Sequence, residues 1–455
     1  MSNHGEQALR RPFLRHLAYL CDYEKGGDTT TAIALQQTPQ NIVYWFASNK
    51  CPNKEAGMAD KTKRFLEEVL GSLKSLKSDA AEGVASELFD KAVAFSSRRI
   101  EDYVKILGRE VDFVLHRLEQ FDLQKDNAFW ADLRAIREAF CEPIKICRMC
   151  YNMNSKFYET LQLKAVSGQP LAERFGTICH IIGRLNHTLK AVKLVVKTAL
   201  LQPQLFDDFQ VSRATSDPRS PPPLRGRNPT PSEIAGRMVS SPGSIVSLRE
   251  ALRDLDQKFG IASELRRQCA ASTWRPRVHA ELTLLNHFWA QNLEFVDADR
   301  YIGCSKPACY CCYHYIQAHP GRFILPPSHN SIYLNWKAPD IYDATDEKKI
   351  KTREDVLNEM AKKIRIEVLA QIVEKRGPAS WRPDSLTEIS TVRFRACFRS
   401  AKDPETNIWI DEGSSETLNE DGELEDRLER QGEGESEIES EDDEGGGVPL
   451  VSLRD

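Results

Sequence analysis

The sequence predicts an α/β domain preceded by a helical region, and two patterns favour this fold class. Residues 1–205 carry apolar residues at spacings of three and four, with few Gly or Pro and little alternation, which is typical of packed amphipathic helices. After residue 244, helix patterns alternate with short apolar strand patterns over about 150 residues. That alternation favours a layered α/β domain on the C-terminal side.

The N-terminal helices are predicted from their apolar stripes. The helix patterns cover residues 12–21, 30–49, 54–76, 80–121, 128–149 and 170–201. In residues 104–121, for example, Ile106, Val111 and Val114 can share one face with Leu118. Together these patterns predict an all-helical N-terminal domain over residues 1–205, as a bundle or an array.

The second part of the chain mixes element types. Helix patterns cover residues 244–270, 279–292, 307–319 and 353–375, and strand patterns cover 300–304, 331–336 and 391–398. We predict that residues 244–402 form the α/β domain. Residues 206–243 are rich in Pro, Ser and Arg and are predicted to be a disordered linker, because they offer little apolar surface to bury.

The charges are unevenly distributed along the 455 residues. Residues 403–455 hold 20 acidic and 3 basic residues, a net charge of −17, which leaves about +12 on the rest of the chain. We predict a disordered acidic tail there. Two interpretations stay open: the tail masks a surface that binds polyanions, or it only keeps a basic protein in solution.

Composition excludes several classes of protein. Hydrophobic residues make up 41% and charged residues 28%, and no apolar run reaches the ~20 residues that a bilayer requires. The first residues lack an apolar signal core, so we expect an intracellular protein, cytoplasmic or nuclear, rather than a secreted one. The 12 cysteines are too scattered for a disulfide scaffold. Walker-type and G-x-G-x-x-G loops are absent from the sequence.

One constellation of residues carries recognisable chemistry. His279 and Glu281 form an H-x-E motif, and Cys309 and Cys312 follow thirty residues later at C-x-x-C spacing. Two thiolates and one imidazole supply three ligands for Zn²⁺ and leave the fourth tetrahedral position open, as in catalytic zinc sites. A carboxylate two residues after the histidine can then shuttle protons. The alternative is a buried histidine packed beside ordinary core cysteines.

The flanking sequence resembles a known family. Residues 301–312 read YIGCSKPACYCC and are similar to the I-G-x-S-K-x-x-C-x-x-C stretch of the OTT-type deaminase family, a branch of the cytidine-deaminase-like superfamily that is abundant in fungi. Residues 278–282 resemble that family's zinc-histidine helix, and His329 resembles a downstream histidine of the family. The likeness is firm over about residues 275–340 and looser over 26–49.

The resemblance implies a fold and a reaction. It implies a cytidine-deaminase-like α/β/α sandwich with a mixed sheet. His279, Cys309 and Cys312 would hold zinc, and Glu281 would be the proton shuttle in hydrolytic deamination of a nucleobase by zinc hydroxide. The fold usually places a strand hairpin before the H-x-E helix. Residues 273–278 make a poor strand because of Pro276, so either the hairpin lies upstream of the linker or this region is misinterpreted.

Other residues are candidates for contact with substrate. Trp274 and Arg277 could stack a flipped base and hold a phosphate, or could belong to the core and a solvated basic face. Ser305 and Lys306 flank the cysteines within the family motif. His329 could line the pocket mouth or could be a loop histidine.

Two functions of different classes follow. The first is a zinc-dependent deaminase acting on a base in a nucleic acid or a nucleotide. The second is a catalytically silent, zinc-stabilised interaction protein that binds protein partners through its helical region or acidic tail. No membrane partner is expected. The sequence leaves open the base, the choice between free nucleotide, RNA and DNA, and the oligomeric state, although the wider superfamily often self-associates.

Overall fold

A computed structural model describes most of the chain. The described residues are 3–50, 60–120, 128–167, 171–215, 220, 229–239, 242–270, 274–377 and 447–449. Within them the protein is mostly helical, with a small mixed sheet. No helix in these ranges is long and apolar enough to cross a membrane.

The described part of the chain forms thirteen α-helices and six strands. The helices are α1 (Asn3–Cys21), α2 (Lys61–Leu73), α3 (Ala81–Phe95), α4 (Ser97–Gln120), α5 (Ala128–Glu138), α6 (Pro143–Val166), α7 (Ala172–Leu201), α8 (Pro231–Gly236), α9 (Pro242–Phe259), α10 (Ile261–Ala270), α11 (Ala280–Gln291), α12 (Tyr310–Ala318) and α13 (Glu347–Val373). The strands are β1 (Thr31–Gln37), β2 (Ile42–Ser48), β3 (Phe209–Arg213), β4 (Gly303–Cys304), β5 (Ser331–Tyr333) and β6 (Gly447–Pro449).

The N-terminal region is not all helical, and the helix predicted over residues 30–49 is wrong. This segment forms the antiparallel hairpin β1–β2, in which Thr31 pairs with Ser48 and Gln37 with Ile42. The hairpin misleads because both of its faces are buried, so its sequence lacks the polar alternation that marks a half-exposed strand. A hairpin upstream of the predicted linker is one of the two alternatives that the sequence left open, and it is consistent with the fold that the resemblance implies.

The hairpin is the centre of a four-stranded mixed sheet with the order β3-β2-β1-β4. Strand β4 joins β1 in antiparallel pairing, and β3 joins β2 in parallel pairing. Strand β3 lies inside residues 206–243, which were predicted to be disordered, and so does α8, which begins with a capping box at Thr230. The prediction of disorder is therefore wrong for these two elements.

The two faces of β1 belong to two different apolar cores. Ile33 and Leu35 are buried in the large core that α1 and α7 share, whereas Ala32 and Ala34 are buried in the core beneath α11 and α12. Small alanine side chains on the second face let α11 approach the sheet closely. Helices thus pack on both sides of the hairpin, which is consistent with the layered arrangement that the resemblance implies.

Outside the hairpin, the predicted helices of the first part are found at similar places. The longest, α7, is buried along most of its length and packs against α1, α4 and α6. The predicted strand at 391–398 lies outside the described residues, as does most of the predicted acidic tail. Within the tail, Gly447–Pro449 form β6 and pair with β5 in antiparallel register. The predicted domain boundaries stay predictions.

Gly303 permits the close contact between β4 and α1. A Cβ added there would lie 2.6 Å from both the carbonyl carbon and the Cβ of Leu14, and 2.8 Å from the backbone nitrogen of Arg15. Backbone atoms in a helix cannot move aside as a flexible side chain can. Close packing against α1 therefore explains why the Y-I-G-C segment has a glycine at position 303.

We expect Gly303→Ala to lower the free energy of unfolding by about 1–3 kcal/mol, because the added methyl group overpacks this contact. The measurement is chemical denaturation of wild type and variant. Gly71→Ala is the matched control, since a Cβ at this helical position meets nothing within 4 Å and should stabilise by up to about 1 kcal/mol. A Gly303→Ala midpoint at or above that of wild type would contradict the packing argument.

Candidate metal centre

The candidate histidine stands at the start of a helix. His279 is the N-cap of α11, with extended backbone angles (φ −76°, ψ 154°); the residue as a whole is half-buried, and its ligand nitrogen is buried. The next residue is fixed by the hairpin, because the backbone N–H of Ala280 donates a 2.8 Å hydrogen bond to Oδ1 of Asn49 at the end of β2. The position of the histidine is therefore set by the sheet as well as by its own helix.

The two cysteines lie at the start of the next helix. Cys309 is the N-cap of α12, and its Sγ accepts a hydrogen bond from the backbone N–H of Cys312 at 3.4 Å. Residues three apart at a helix start face the same way, so both sulfurs point to one place. That place is His279, whose Nδ1 lies 3.6 Å from Sγ of Cys309 and 3.3 Å from Sγ of Cys312.

These three side chains fit a zinc ion. Their ligand atoms all lie within 4.8 Å of one another and are buried. Tetrahedral zinc with Zn–S near 2.3 Å and Zn–N near 2.0 Å would place nitrogen and sulfur about 3.5 Å apart. Both observed separations are close to that value, and thiolate with imidazole is a donor set that zinc favours. The structure thus brings His279, Cys309 and Cys312 together as predicted.

The pKa values of the Cys309 and Cys312 thiols are shifted by the contacts that these residues make with each other and with His279. Burial tends to raise the pKa of Cys309, but the hydrogen bond from Cys312 and the positive charge of His279 outweigh it and hold that pKa well below its ordinary value. Burial, together with the neighbouring Cys309 thiolate, raises the pKa of Cys312 well above its ordinary value. Burial tends to lower the pKa of His279, but the negative charge of Cys309 and the hydrogen bond with its sulfur raise that pKa on balance.

Glu281 lies in the first turn of α11, two residues after the histidine. Its side chain is only 5% exposed, and its Oε2 lies 4.0 Å from Sγ of Cys304. Burial raises the pKa of the Glu281 carboxyl, and the positive charge of His279 opposes this rise in part. The carboxylate is thus a buried neighbour of the cluster rather than a solvated surface group.

Ser305 and Lys306 make contacts with the N-terminal part of the chain. The Ser305 hydroxyl, 1% exposed, donates to Oδ2 of Asp22 at 3.1 Å and accepts from the backbone N–H of Thr31 at 3.1 Å. Nζ of Lys306 donates to the carbonyl oxygen of Gly26. These contacts tie the motif between β4 and α12 to the loop before β1. Proximity of either side chain to a substrate stays a prediction.

The remaining candidates flank the cluster. Arg277 is buried and forms an ion pair with Asp28, which holds the same loop against the histidine segment. His329 is buried too, with its Nδ1 accepting from the backbone N–H of Ser331 at 3.1 Å. Trp274 is half-buried, and its carbonyl oxygen accepts a hydrogen bond from Arg275. Substrate roles for Arg277, His329 and Trp274 stay predictions.

Sequence reasoning missed two residues beside the cluster. Asn49 accepts a hydrogen bond from the backbone N–H of Ala280, next to His279, and Trp336 donates its indole N–H to Sγ of Cys312 at 3.2 Å. Asn49 follows an apolar strand that was interpreted as a helix, so no motif pointed to it. Trp336 ends a predicted strand, but nothing in the sequence relates that strand to the cysteines.

The comparisons with known proteins agree with this geometry. Residues 278–340 match the family model described as OTT_1508-like deaminase. Over this segment the chain is therefore similar to the OTT_1508-like deaminase family. This segment takes in all three candidate ligands, and also Glu281 and Trp336. Neither the curated proteins nor the solved structures gave a match.

The hydrogen bond between Asn49, at the end of the hairpin, and Ala280, at the start of α11, can be tested by substitution of Asn49. We expect Asn49→Ala to lower the free energy of unfolding by about 1–3 kcal/mol, because the Ala280 N–H is buried and would lose its acceptor. Denaturant unfolding measures the change. Asn152→Ala, at an exposed position of α6, is the control and should change stability by less than about 0.5 kcal/mol. If both substitutions changed the free energy of unfolding equally, Asn49 would not be needed to fix the start of α11.

Proposed function

We propose that this protein is a zinc-dependent hydrolytic deaminase acting on a nucleobase, in a nucleic acid or a nucleotide. One observation carries the proposal. His279, Cys309 and Cys312 bring their ligand atoms within 4.8 Å of one another, and Glu281 lies buried beside them. The deaminase family match over the same residues supports a deaminase in general. Three protein ligands leave one position for water or substrate, as catalytic zinc requires.

Each residue has a role in the proposed reaction. His279, Cys309 and Cys312 would hold the zinc ion. A bound zinc ion would lower the pKa of a water molecule and so supply a nucleophile at neutral pH. The Glu281 carboxylate accepts a proton from the attacking water and delivers protons to the base and to the leaving amino group. In the overall reaction, one water molecule and one amino-substituted base give one ammonia and a base that carries a carbonyl group in place of the amino group.

The surroundings of Glu281 suit such a proton carrier. The side chain is almost fully removed from solvent, so bulk water cannot easily replace it in the transfer. The H-x-E spacing fixes it one helical turn or less from the ligand histidine, on the helix that the hairpin anchors through Asn49. A carboxylate held in this way can reach both water and amino group without a large side-chain movement.

The first experiment combines metal content with ammonia release. We expect about one zinc per chain in wild type, measured by elemental analysis, and loss of that zinc in Cys309→Ser. Glu281→Gln should keep the zinc and lose at least about 100-fold in deamination rate, because the general acid–base group is gone. Ammonia release is measured with nucleosides, nucleotides and single-stranded oligonucleotides as substrates.

A matched control separates catalysis from folding. Glu347→Gln replaces another first-turn glutamate, exposed at the start of α13, and should leave both zinc content and rate unchanged. Wild-type protein without zinc would remove the basis of the proposal. Zinc in wild type, with no ammonia released from any of these substrates, would favour the zinc-stabilised interaction protein instead.

A further inference from the structure

A tryptophan outside the ligand motif touches one of the candidate ligands. The indole nitrogen Nε1 of Trp336 lies 3.2 Å from Sγ of Cys312. The indole N–H can only donate, so the sulfur is the acceptor in this contact. Cys312 itself is completely buried, and its sulfur also faces Nδ1 of His279. The hydrogen bond therefore lies inside the cluster rather than on a surface that faces solvent.

The backbone around Trp336 is held by the strand-like segment that carries the histidine. Residues Arg277 and Trp336 form a parallel bridge. The backbone N–H of Arg277 donates to the carbonyl oxygen of Asn335 at 2.8 Å, and Lys337 donates back to the carbonyl oxygen of Arg277 at 3.0 Å. Since Arg277 stands two residues before His279, one short ladder positions both the ligand histidine and the indole.

The side chain of Trp336 is confined as well. Its ring lies 6.3 Å from that of Tyr315, on the helix that carries Cys312, at an interplanar angle of 60°. The backbone N–H of Trp336 donates to the carbonyl oxygen of Tyr333 at 3.2 Å, which fixes the start of the side chain. An indole held at its backbone and along its ring can direct its N–H with little freedom to turn away.

A donor to a metal-bound thiolate has a defined chemical effect. Hydrogen bonds to ionised acceptors are stronger than neutral ones, so the indole favours the thiolate form of the sulfur. The donor also withdraws electron density from the sulfur and fixes its direction. Partners of this kind commonly change metal affinity by about 10–100-fold when they are removed.

We propose that Trp336 is a positioning residue of the metal centre: its indole N–H holds the Cys312 thiolate in place for the metal and partly neutralises the charge of that sulfur. This inference rests on the proposed function, because it requires that His279, Cys309 and Cys312 bind a metal. Trp336 would not be a ligand itself; it would support one of the three ligands from a different part of the chain.

The test is Trp336→Phe in the full chain, which keeps an aromatic ring and removes the N–H. We expect Zn²⁺ affinity, measured by competition with a chelating dye, to fall by about 10–100-fold. With Co²⁺ in place of Zn²⁺, the thiolate-to-metal charge-transfer band should shift, which reports on the sulfur itself. Trp289→Phe is the matched control, since Trp289 is partly exposed on α11 and its ring contacts His319; it should change neither reading.

The outcomes separate this inference from the proposed function. Wild type and Trp336→Phe with equal Zn²⁺ affinity and the same Co²⁺ band would overturn the role of Trp336 and leave the metal centre standing. Wild type that binds neither metal would overturn both. Loss of affinity without a change in the Co²⁺ band would show that Trp336 only packs against the site, which also contradicts the proposal.

A measurement on wild type alone guards against a variant that does not fold. Adding Zn²⁺ should shift one indole N–H proton resonance strongly and slow its exchange with solvent, because a hydrogen bond to the metal-bound thiolate becomes stronger. The other indole resonances should move little. If zinc binds and every indole resonance stays in place, the hydrogen bond has no part in the metal centre and the proposal is wrong.

Discussion

The candidate site depends on two helix N-termini that point at the same place. His279 caps α11 and Cys309 caps α12, so the positive ends of both helix dipoles meet at the cluster. Two such ends repel each other, and a metal cation would add to the repulsion. The sulfurs of Cys309 and Cys312 supply the opposing negative charge. The cysteines thus offset the positive charge of the two helix ends and would also offset that of a bound cation.

Convergence of the helices in turn depends on the hairpin. Asn49 at the end of β2 holds the start of α11, and Thr31 at the start of β1 holds Ser305, just before α12. Asp22 accepts hydrogen bonds from both Ser305 and Thr29, so the end of α1 is tied to the same point. The Ser and Lys of the family-like motif therefore have a structural explanation. They join the cysteine segment to the N-terminal part of the chain.

The sequence predicted which three side chains lie together better than it predicted the framework around them. His279, Cys309 and Cys312 stand at motif spacing, and their chemistry is local to two short segments. The hairpin was misinterpreted because burial on both faces removes the alternation by which strands are found. Strand β3 was missed because it lies next to a Pro- and Ser-rich stretch whose composition dominates the window. Asn49 and Trp336 are brought to the site only by tertiary pairing, which no spacing in the sequence encodes.

The long-range contacts of the hairpin determine how late in synthesis the sheet can be completed. Strand β1 leaves the ribosome early, but Ser305, which bonds to its first residue, follows 274 positions later. Until then the alanine face of the hairpin has no helix to cover it, and a buried strand pair is left open to other chains. Closing so long a loop is also slow relative to local helix formation. The four-stranded sheet is thus complete only after the chain through β4 has been made, although its central hairpin is formed by residues far upstream.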